Sequence, residues 1–239
     1  MRTIAIVPMK SFDAAKGRLS EMLGVGSRHA LAHAMFSDVL AVLRRVRGLN
    51  AIAVVTGDHE AEATVRGERV VVLDDERRAG QSAAALIGIR HACAADFERV
   101  LLVPGDTPLM DPVAIGLLLE RSEADGIEAA IVPDRHGTGT NALLIAPPEA
   151  LEPSFGPGSL DRHVEAARHA EVAHRVEPVE SLMHDIDTPA DLADLSAILA
   201  EQRGVAPRTR GALRQIERLR PDASPAGEPL APAGEPAHV

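Results

Sequence analysis

The chain has 239 residues, of which 46% are hydrophobic, and this length and composition favour one globular domain of enzyme size over two full domains. The formal net charge of −10 opposes binding to nucleic acid and to anionic membranes, and there is no Trp or Tyr on which bases could stack. The single cysteine, Cys93, excludes internal disulfides and a cysteine-rich zinc site.

Strand and helical patterns alternate along the chain. Strands are predicted at 3–7, 51–56, 69–73, 100–103, 129–132 and 142–145, and helices at 27–47, 59–66, 82–96, 112–123, 160–170 and 189–202. Because the strand runs are continuously apolar, we expect helices on both faces of the sheet. The pattern predicts an α/β fold with a Rossmann-like, mostly parallel sheet that binds ligands at the carboxyl ends of its strands. No apolar run reaches the ~20 residues of a membrane span, so we expect a cytoplasmic protein with no membrane partner.

Residues 203–239 differ in composition from the rest of the chain. They hold six Arg and four acidic residues, and Pro-Ala-Gly-Glu-Pro occurs twice, at 225–229 and 232–236. A segment so rich in Pro, Gly and Ala has too little apolar surface to fold on its own. We therefore predict one domain over 1–202 and a tail over 203–239 that is basic, then Pro/Ala/Gly-rich, and disordered. A short basic helix at 208–220 is the alternative for its first part.

Two carboxylates, Asp185 and Asp187, stand just before the last predicted helix. Thr188 is predicted as the N-cap of that helix, Pro189 as its first residue, and Asp191 as the side chain that reaches back to the cap. Residues two apart in an extended segment point the same way, so the first two carboxylates would repel each other by roughly 2–3 kcal/mol at about 6–7 Å. A divalent cation between them would turn that repulsion into binding.

Three cations, Lys10, Lys16 and Arg18, follow the first predicted strand. In an acidic protein they predict a site for an anion such as a nucleotide triphosphate, although the spacing of a P-loop is absent and a solvated basic loop is the alternative. Asp106 follows the fourth predicted strand. It is suited to magnesium, which prefers one or two carboxylates plus substrate phosphates, and the alternative is an Asp that caps its own turn.

Glycines and hydroxyl side chains are concentrated in two later loops, 134–141 and 155–159. Glycine lets backbone amides approach a ligand, and a helix N-terminus favours anions, so these loops predict a cradle for a small anionic acceptor. The alternative is a plain hairpin turn and a helix cap, with Ser159 as N-cap. The segment Gly80-Gln81-Ser82 could read a purine edge, and the alternative is that Ser82 simply caps a helix.

Taken together, these motifs resemble one family, the guanylyltransferases of deazaflavin-coenzyme (factor 420) biosynthesis. They occur in the family's order over nearly all of residues 1–200. The segments that carry the resemblance are Ile6-Val7-Pro8-Met9-Lys10, Ala15-Lys16-Gly17-Arg18-Leu19, Pro104-Gly105-Asp106-Thr107-Pro108-Leu109, Asp134-Arg135-His136-Gly137-Thr138-Gly139-Thr140, Phe155-Gly156-Pro157-Gly158-Ser159 and Asp185-Ile186-Asp187-Thr188-Pro189-Ala190-Asp191-Leu192.

The resemblance implies a nucleotidyltransferase fold of the glycosyltransferase-A type, a Rossmann-like sheet with an inserted acceptor-binding part. It implies that the GMP moiety of GTP is joined to a phosphorylated three-carbon acid with release of pyrophosphate. In the bacterial branch of the family the acid is phosphoenolpyruvate and the product is enolpyruvoyl-2-diphospho-5'-guanosine. Archaeal relatives are associated with 2-phospho-L-lactate, and others use 3-phospho-D-glycerate.

The resemblance also implies roles for individual residues. Magnesium would be held by Asp106, Asp185 and Asp187, and the acceptor by Thr140, Gly156 and Ser159. Lys16 and Arg18 would face the triphosphate and, with Lys10, offset the charge that grows on the leaving pyrophosphate. The family often has Leu-Asn where this chain has Gln81-Ser82, so the guanine contact assigned to Gly80, Gln81 and Ser82 departs from its pattern.

Two further classes stay open on the sequence alone. One is another glycosyltransferase-A enzyme, either a molybdopterin guanylyltransferase or a glycosyltransferase; the former typically begins with a Gly-rich loop, whereas this chain has no glycine before Gly17. The other is a regulatory protein that binds GTP without turnover. The sequence does not choose among the three acids, which differ by a double bond or a hydroxyl, and it leaves open whether the chain forms a homodimer.

Overall fold

A computed structural model describes residues 1–12, 16–65 and 70–219 of the chain. Three predictions reach beyond these ranges. The end of the second predicted helix at Arg66, the start of the third predicted strand at Arg69, and the part of the predicted tail over 220–239 lie outside the described residues.

The described strands form one sheet in the order β3-β2-β1-β4-β6-β5-β7. All neighbours pair in parallel except β6, which is antiparallel to both β4 and β5. The strands are β1 Thr3–Pro8, β2 Leu49–Thr56, β3 Val70–Asp74, β4 Arg99–Leu102, β5 Ala129–Pro133, β6 Thr140–Ile145 and β7 His174–Val176. The predicted α/β class with a mostly parallel sheet is thus confirmed, and β6 starts at the edge where β4 and β5 end.

Helices cover both faces of the sheet, as the continuously apolar strands predicted. One core cluster joins the sheet to α1 and α4, and a second joins its other face to α3 and α5. The helices are α1 Val25–Leu43, α2 His59–Val65, α3 Gln81–Ala94, α4 Pro112–Ala124, α5 Ser159–His169, α6 Pro189–Glu201 and α7 Pro207–Arg218. Among the described residues, no helix has the length and apolar character needed to cross a bilayer.

Helix starts were predicted with mixed success. Thr188 caps α6 and forms a full capping box with Asp191, and Asp111 caps α4, as expected. Ser159 and Ser82, however, are not N-caps. The N-cap positions are held by Gly158 before α5, with a φ of 70°, and by Gly80 before α3, with a φ of 107°. Both serines therefore lie inside the first helical turn, and their side chains accept hydrogen bonds from the amides of Thr140 and Phe155 instead.

Helix α7 occupies a segment for which the composition predicted disorder. Its buried side chains, Thr209, Leu213 and Ile216, recur at helical spacing, and Leu213 and Ile216 belong to a third core cluster with residues of α1 and α6. That cluster includes Leu19, which follows Arg18, and Ile186, which lies between Asp185 and Asp187. Residues 207–218 are therefore part of the folded body, because this amphipathic stripe outweighs the average composition of the tail.

Candidate functional site

A cluster of opposite charges is centred on Lys16, close to the carboxyl edge of the sheet. Its Nζ lies 2.5 Å from Asp106 Oδ2 and 3.2 Å from Asp187 Oδ1. Arg18 approaches the second oxygen of Asp187 at 3.8 Å with its side chain 74% exposed. With Asp185, described next, the structure thus brings together five predicted site residues from three separate segments of the sequence.

The Lys16 side chain is almost completely withdrawn from solvent, with 3% of its surface exposed. Burial alone would lower the pKa of this ammonium, but the carboxylates of Asp106 and Asp187 outweigh burial and raise the pKa above its ordinary value. Lys16 also holds a left-handed backbone conformation, with φ of 59°, at the start of the 3-10 turn Gly17–Leu19. It is therefore a charged group fixed in place, and not a solvated surface lysine.

Asp185 lies beside this cluster and shares its negative field. Burial raises the pKa of its carboxyl, the charges of Asp106 and Asp187 raise it further, and a hydrogen bond from Asn141 Nδ2 at 3.2 Å opposes the rise. Asn141 also donates to the carbonyl of Leu182 at 3.1 Å, so its amide is held at two points. The pKa of Asp185 is therefore raised first by burial and then by the two neighbouring carboxylates.

A β-bulge at the start of β6 gives Asn141 this direction. Val132 pairs with Ala142 and the next residue, Pro133, pairs with Thr140, so Asn141 is the extra residue in its strand. A bulge resets the alternation of side chains. Asn141 consequently faces Asp185, while Thr140 faces helix α5 on the other side of the sheet.

The backbone of Asp187 is held by the capping box that follows it. Asp191 Oδ2 accepts hydrogen bonds from the amides of Asp187 at 2.9 Å and Thr188 at 2.6 Å. Arg135, in the loop between β5 and β6, pairs with the other oxygen of Asp191 and, at 2.8 Å, with Asp194. Asp191, predicted as a capping residue, therefore also fixes the position of Asp187, a predicted metal ligand.

The three predicted acceptor residues are connected by hydrogen bonds. The Thr140 amide donates to Ser159 Oγ at 2.8 Å, and the Ser159 amide donates to the Gly156 carbonyl at 3.0 Å. The Thr140 hydroxyl lies 2.9 Å from Nδ1 of His163, whose Nε2 accepts from the Ser154 amide at 2.8 Å. Since Nε2 is an acceptor, the neutral ring carries its proton on Nδ1 and donates it to Thr140.

His163 remains neutral over a wide pH range. Its ring is fully buried, and burial, with the nearby charge of Arg162, lowers its pKa to about 4. The Thr140 oxygen accepts a hydrogen bond from this ring, so the hydroxyl proton of Thr140 remains able to donate to another group. The arrangement is suited to donating a hydrogen bond to an anion.

The remaining predicted residues lie around these two groups. Gly80 precedes α3 and Gln81 begins it, while the Ser82 hydroxyl accepts from the Phe155 amide at 2.9 Å and so ties the predicted nucleotide segment to the predicted acceptor loop. Lys10 is exposed, and within the described part of the chain it makes no hydrogen bond or ion pair with the charged cluster.

The carboxylate cluster has the chemistry of a divalent-cation site, since hard oxygen donors are the ligands that magnesium prefers. The carboxylates of Asp106 and Asp187 lie close enough to Asp185 to contribute to its raised pKa, so the three groups share one region of the molecule. As the side chains stand, no three His, Cys, Asp or Glu residues among those described come close enough together to hold an ion. The Lys16 ammonium lies between Asp106 and Asp187 in this arrangement.

Sequence reasoning missed three residues of this site: Asn141, Arg135 and His163. Their roles depend on partners far along the chain, and the first depends on a bulge that strand alternation does not foresee. The available signal was the loop 134–141, which contains both Arg135 and Asn141 and was singled out without a function for either residue.

Comparison with known proteins identifies relatives over the whole described fold. A family model described as Guanylyl transferase CofC like matches residues 3–226. A phosphoenolpyruvate guanylyltransferase of Conexibacter woesei is 43% identical over 221 residues, which cover 92% of this chain and 99% of that protein. A 2-phospho-L-lactate guanylyltransferase of Methanothermobacter thermautotrophicus is 30% identical over 196 residues, covering 82% and 84% of the two chains.

Solved structures share the fold at lower identity. A crystal structure from Desulfovibrio desulfuricans G20, assigned as a nucleotide-diphospho-sugar transferase, has a TM-score of 0.73 at 19% identity and covers 91% of this chain and 96% of that one. A nucleotidyl transferase from Methanothermobacter thermautotrophicus has a TM-score of 0.59 at 19% identity, with 84% and 99% covered. At this identity the likeness shows the fold alone.

Proposed function

The chain belongs to the Guanylyl transferase CofC like family, and from this membership we propose that it joins the GMP moiety of GTP to phosphoenolpyruvate and releases pyrophosphate. The product would be enolpyruvoyl-2-diphospho-5'-guanosine, an intermediate for a deazaflavin coenzyme. The observation that carries the proposal is the pairing of Lys16 with Asp106 and Asp187, with Asp185 near both carboxylates, beside a hydrogen-bonded loop suited to a small anion.

The reaction forms one bond and breaks one. An oxygen of the acceptor phosphate attacks the α-phosphorus of GTP, the bond from that phosphorus to the bridging oxygen of the β-phosphate breaks, and pyrophosphate leaves with the electron pair. A phosphate nucleophile is already ionised at neutral pH and needs no general base. The protein therefore contributes position and charge, which agrees with a site built from fixed ion pairs.

The cations offset the charge on the reacting phosphates. Lys16 and Arg18, which both contact Asp187, face the triphosphate in this proposal, and exposed Lys10 assists at the leaving pyrophosphate. Asp106, Asp185 and Asp187 would hold magnesium, which when bound would supply positive charge to offset that of the phosphates. Asn141 keeps the Asp185 carboxylate aimed into the cluster.

The acceptor acid is proposed to bind at Thr140, Gly156 and Ser159, and guanine at the segment Gly80-Gln81-Ser82. The hydrogen bond from the Phe155 amide to Ser82 supports the closeness of the two sites. Phosphoenolpyruvate is favoured as the acceptor because the relative that bears its name is the more similar, at 43% against 30% identity for the 2-phospho-L-lactate enzyme. We also propose that the protein acts in the cytoplasm, where both substrates are available.

Asp187→Asn tests the carboxylate assignment. We expect pyrophosphate release from GTP and phosphoenolpyruvate to fall by at least about 100-fold, the scale seen when one group that stabilises transition-state charge is removed. Asp96→Asn is the matched control, because Asp96 is exposed and lies at the opposite edge of the sheet, after α3. Equal activity in the two variants, at any magnesium concentration, would show that Asp187 does not act in this reaction.

A further inference from the structure

Arg162, an exposed residue of α5 that no sequence motif singled out, gathers the backbone of the loop in front of its own helix. Its guanidinium donates to the carbonyls of Ser154 at 2.9 Å and Pro157 at 2.5 Å, and at longer range to those of Phe155 at 3.4 Å and Gly156 at 3.5 Å. Its Nε also donates to the Ser154 hydroxyl at 3.0 Å. One side chain thus turns four successive carbonyls toward itself.

Because its peptide bonds are planar and trans, the direction of the carbonyls also fixes the direction of the amide N–H groups in this loop. The carbonyl of one residue and the amide N–H of the next point in opposite directions. With the carbonyls of Phe155 and Pro157 directed at Arg162, the amides of Gly156 and Gly158 are directed away from it. Neither amide donates a hydrogen bond to any residue that the structure describes.

The two glycines allow the required backbone. Their φ values are 110° and 70°, a range that residues other than glycine rarely adopt. Backbone N–H groups in such turns bind anions, and Pro157 between the two glycines has no N–H, so Gly156 and Gly158 supply the donors here. The neighbouring amides are already engaged, since Ser154 donates to His163 and Phe155 donates to Ser82.

We propose that Arg162 is the positioning residue of the acceptor site: by holding the carbonyls of residues 154–157 it presents the amides of Gly156 and Gly158 to an anionic group of the phosphorylated acid. The inference rests on the proposed function for the identity of that acid. Arg162 does not touch the acid in this account. It acts through the loop, and His163 and Ser82 fix the same loop at Ser154 and Phe155.

The proposed role of Arg162 depends on the planar shape of its guanidinium and not only on its charge. A planar fork with five N–H donors can serve several carbonyls together, whereas a lysine ammonium on a flexible stem cannot reproduce that geometry. Arg162→Lys and Arg162→Gln should therefore have similar effects. If Arg162 instead attracted the acid directly by its charge, the lysine variant would keep most of the wild-type affinity.

Steady-state pyrophosphate release with GTP and phosphoenolpyruvate is the first measurement. Both variants are expected to raise KM for phosphoenolpyruvate by about tenfold or more, the usual effect of removing a partner that orients a binding group, with KM for GTP changed less than about twofold. Arg168→Gln is the matched control, since it removes the same charge from an exposed position of the same helix. Wild-type KM in Arg162→Lys, equal changes in both KM values, or the same effect in Arg168→Gln would each overturn the proposal.

An NMR titration separates failure of this inference from failure of the proposed function. In ¹⁵N-labelled wild-type protein, phosphoenolpyruvate should shift the amide resonances of Gly156 and Gly158, and the shifts should be reduced in Arg162→Gln but not in Arg168→Gln. If the shifts occur although the wild type releases no pyrophosphate, the proposed reaction is wrong and the loop assignment stands. If pyrophosphate is released and these amides do not respond, the loop assignment is wrong.

Discussion

Asp38→Ala should detach helix α7 from the body of the protein. Asp38 lies on α1, is 2% exposed, and acts as the N-terminal cap that α7 lacks in its own sequence, where Ala206 occupies the cap position. Its carboxylate accepts from the Thr209 amide and hydroxyl, both at 2.8 Å, and from the Arg208 amide at 3.3 Å. The substitution removes all three hydrogen bonds at once.

The geometry gives the size of the effect. Hydrogen bonds to a charged group contribute about 1.5–3 kcal/mol each, and Thr209 is fully buried, so its amide and hydroxyl would lose their partner without gaining water. Removing the buried charge returns part of that energy, and we expect a net loss of roughly 3 kcal/mol. For a chain of this size, about 1 kcal/mol corresponds to 2–4 °C, so Tm should fall by about 6–12 °C.

Thermal and urea unfolding of the whole chain measure this directly. Glu217→Ala is the control, because Glu217 is an exposed carboxylate on α7 itself and makes none of these bonds. Its effect should stay within about 0.5 kcal/mol, as for most surface substitutions. If Asp38→Ala unfolds at the same temperature as Glu217→Ala, α7 contributes no stability through this contact and the inclusion of residues 207–218 in the folded body is wrong.

Two further predictions concern the acceptor loop. Thr140→Val should raise KM for phosphoenolpyruvate more than KM for GTP, because the variant loses a hydroxyl proton that the His163 ring leaves unused; kinetics that show equal increases would count against the loop as the acceptor site. Because burial lowers the folded pKa of His163 to about 4, below the ordinary value of 6.5, the unfolded state alone binds a proton between these pH values. The free energy of unfolding should therefore fall by an amount on the order of 3 kcal/mol as pH drops from about 6.5 to 4. In urea unfolding, His163→Gln should make this free energy less dependent on pH over that range, and an unchanged dependence would contradict the neutral buried ring.

Much of the fold could be predicted because its signals are local. Continuous apolar runs marked six of the strands, and Thr188 with Asp191 marked the start of α6 in full. Strand β7 was missed, since two of its three residues are only partly buried, Val176 is exposed, and the segment carries no apolar run. Helix α7 was foreseen only as an alternative, a short basic helix at 208–220, and its packing was missed because its buried stripe consists of just three residues in a basic segment.

Several residues of the candidate site could be named from the sequence, but the contacts that connect them could not. The rule that ligands bind at strand carboxyl ends marked the loops that carry Lys16 and Asp106. The family resemblance grouped Asp106 with Asp187, and both carboxylates contact Lys16. No local pattern, however, shows that a bulge turns Asn141 toward Asp185. The two serines were assigned to caps because serine is a frequent N-cap, and the glycines before them took that position instead.

The reaction proposed for this chain joins the GMP moiety of GTP to a three-carbon phospho-acid. It can be tested with a pyrophosphate-release assay that crosses GTP and ATP with phosphoenolpyruvate, 2-phospho-L-lactate and 3-phospho-D-glycerate and records the product masses. We expect release with GTP and phosphoenolpyruvate in the presence of magnesium, and a product whose mass is that of GMP joined to the acid through a diphosphate. Absence of pyrophosphate with every pair, while GTP still binds, would contradict the claim and indicate a nucleotide-binding protein without catalysis.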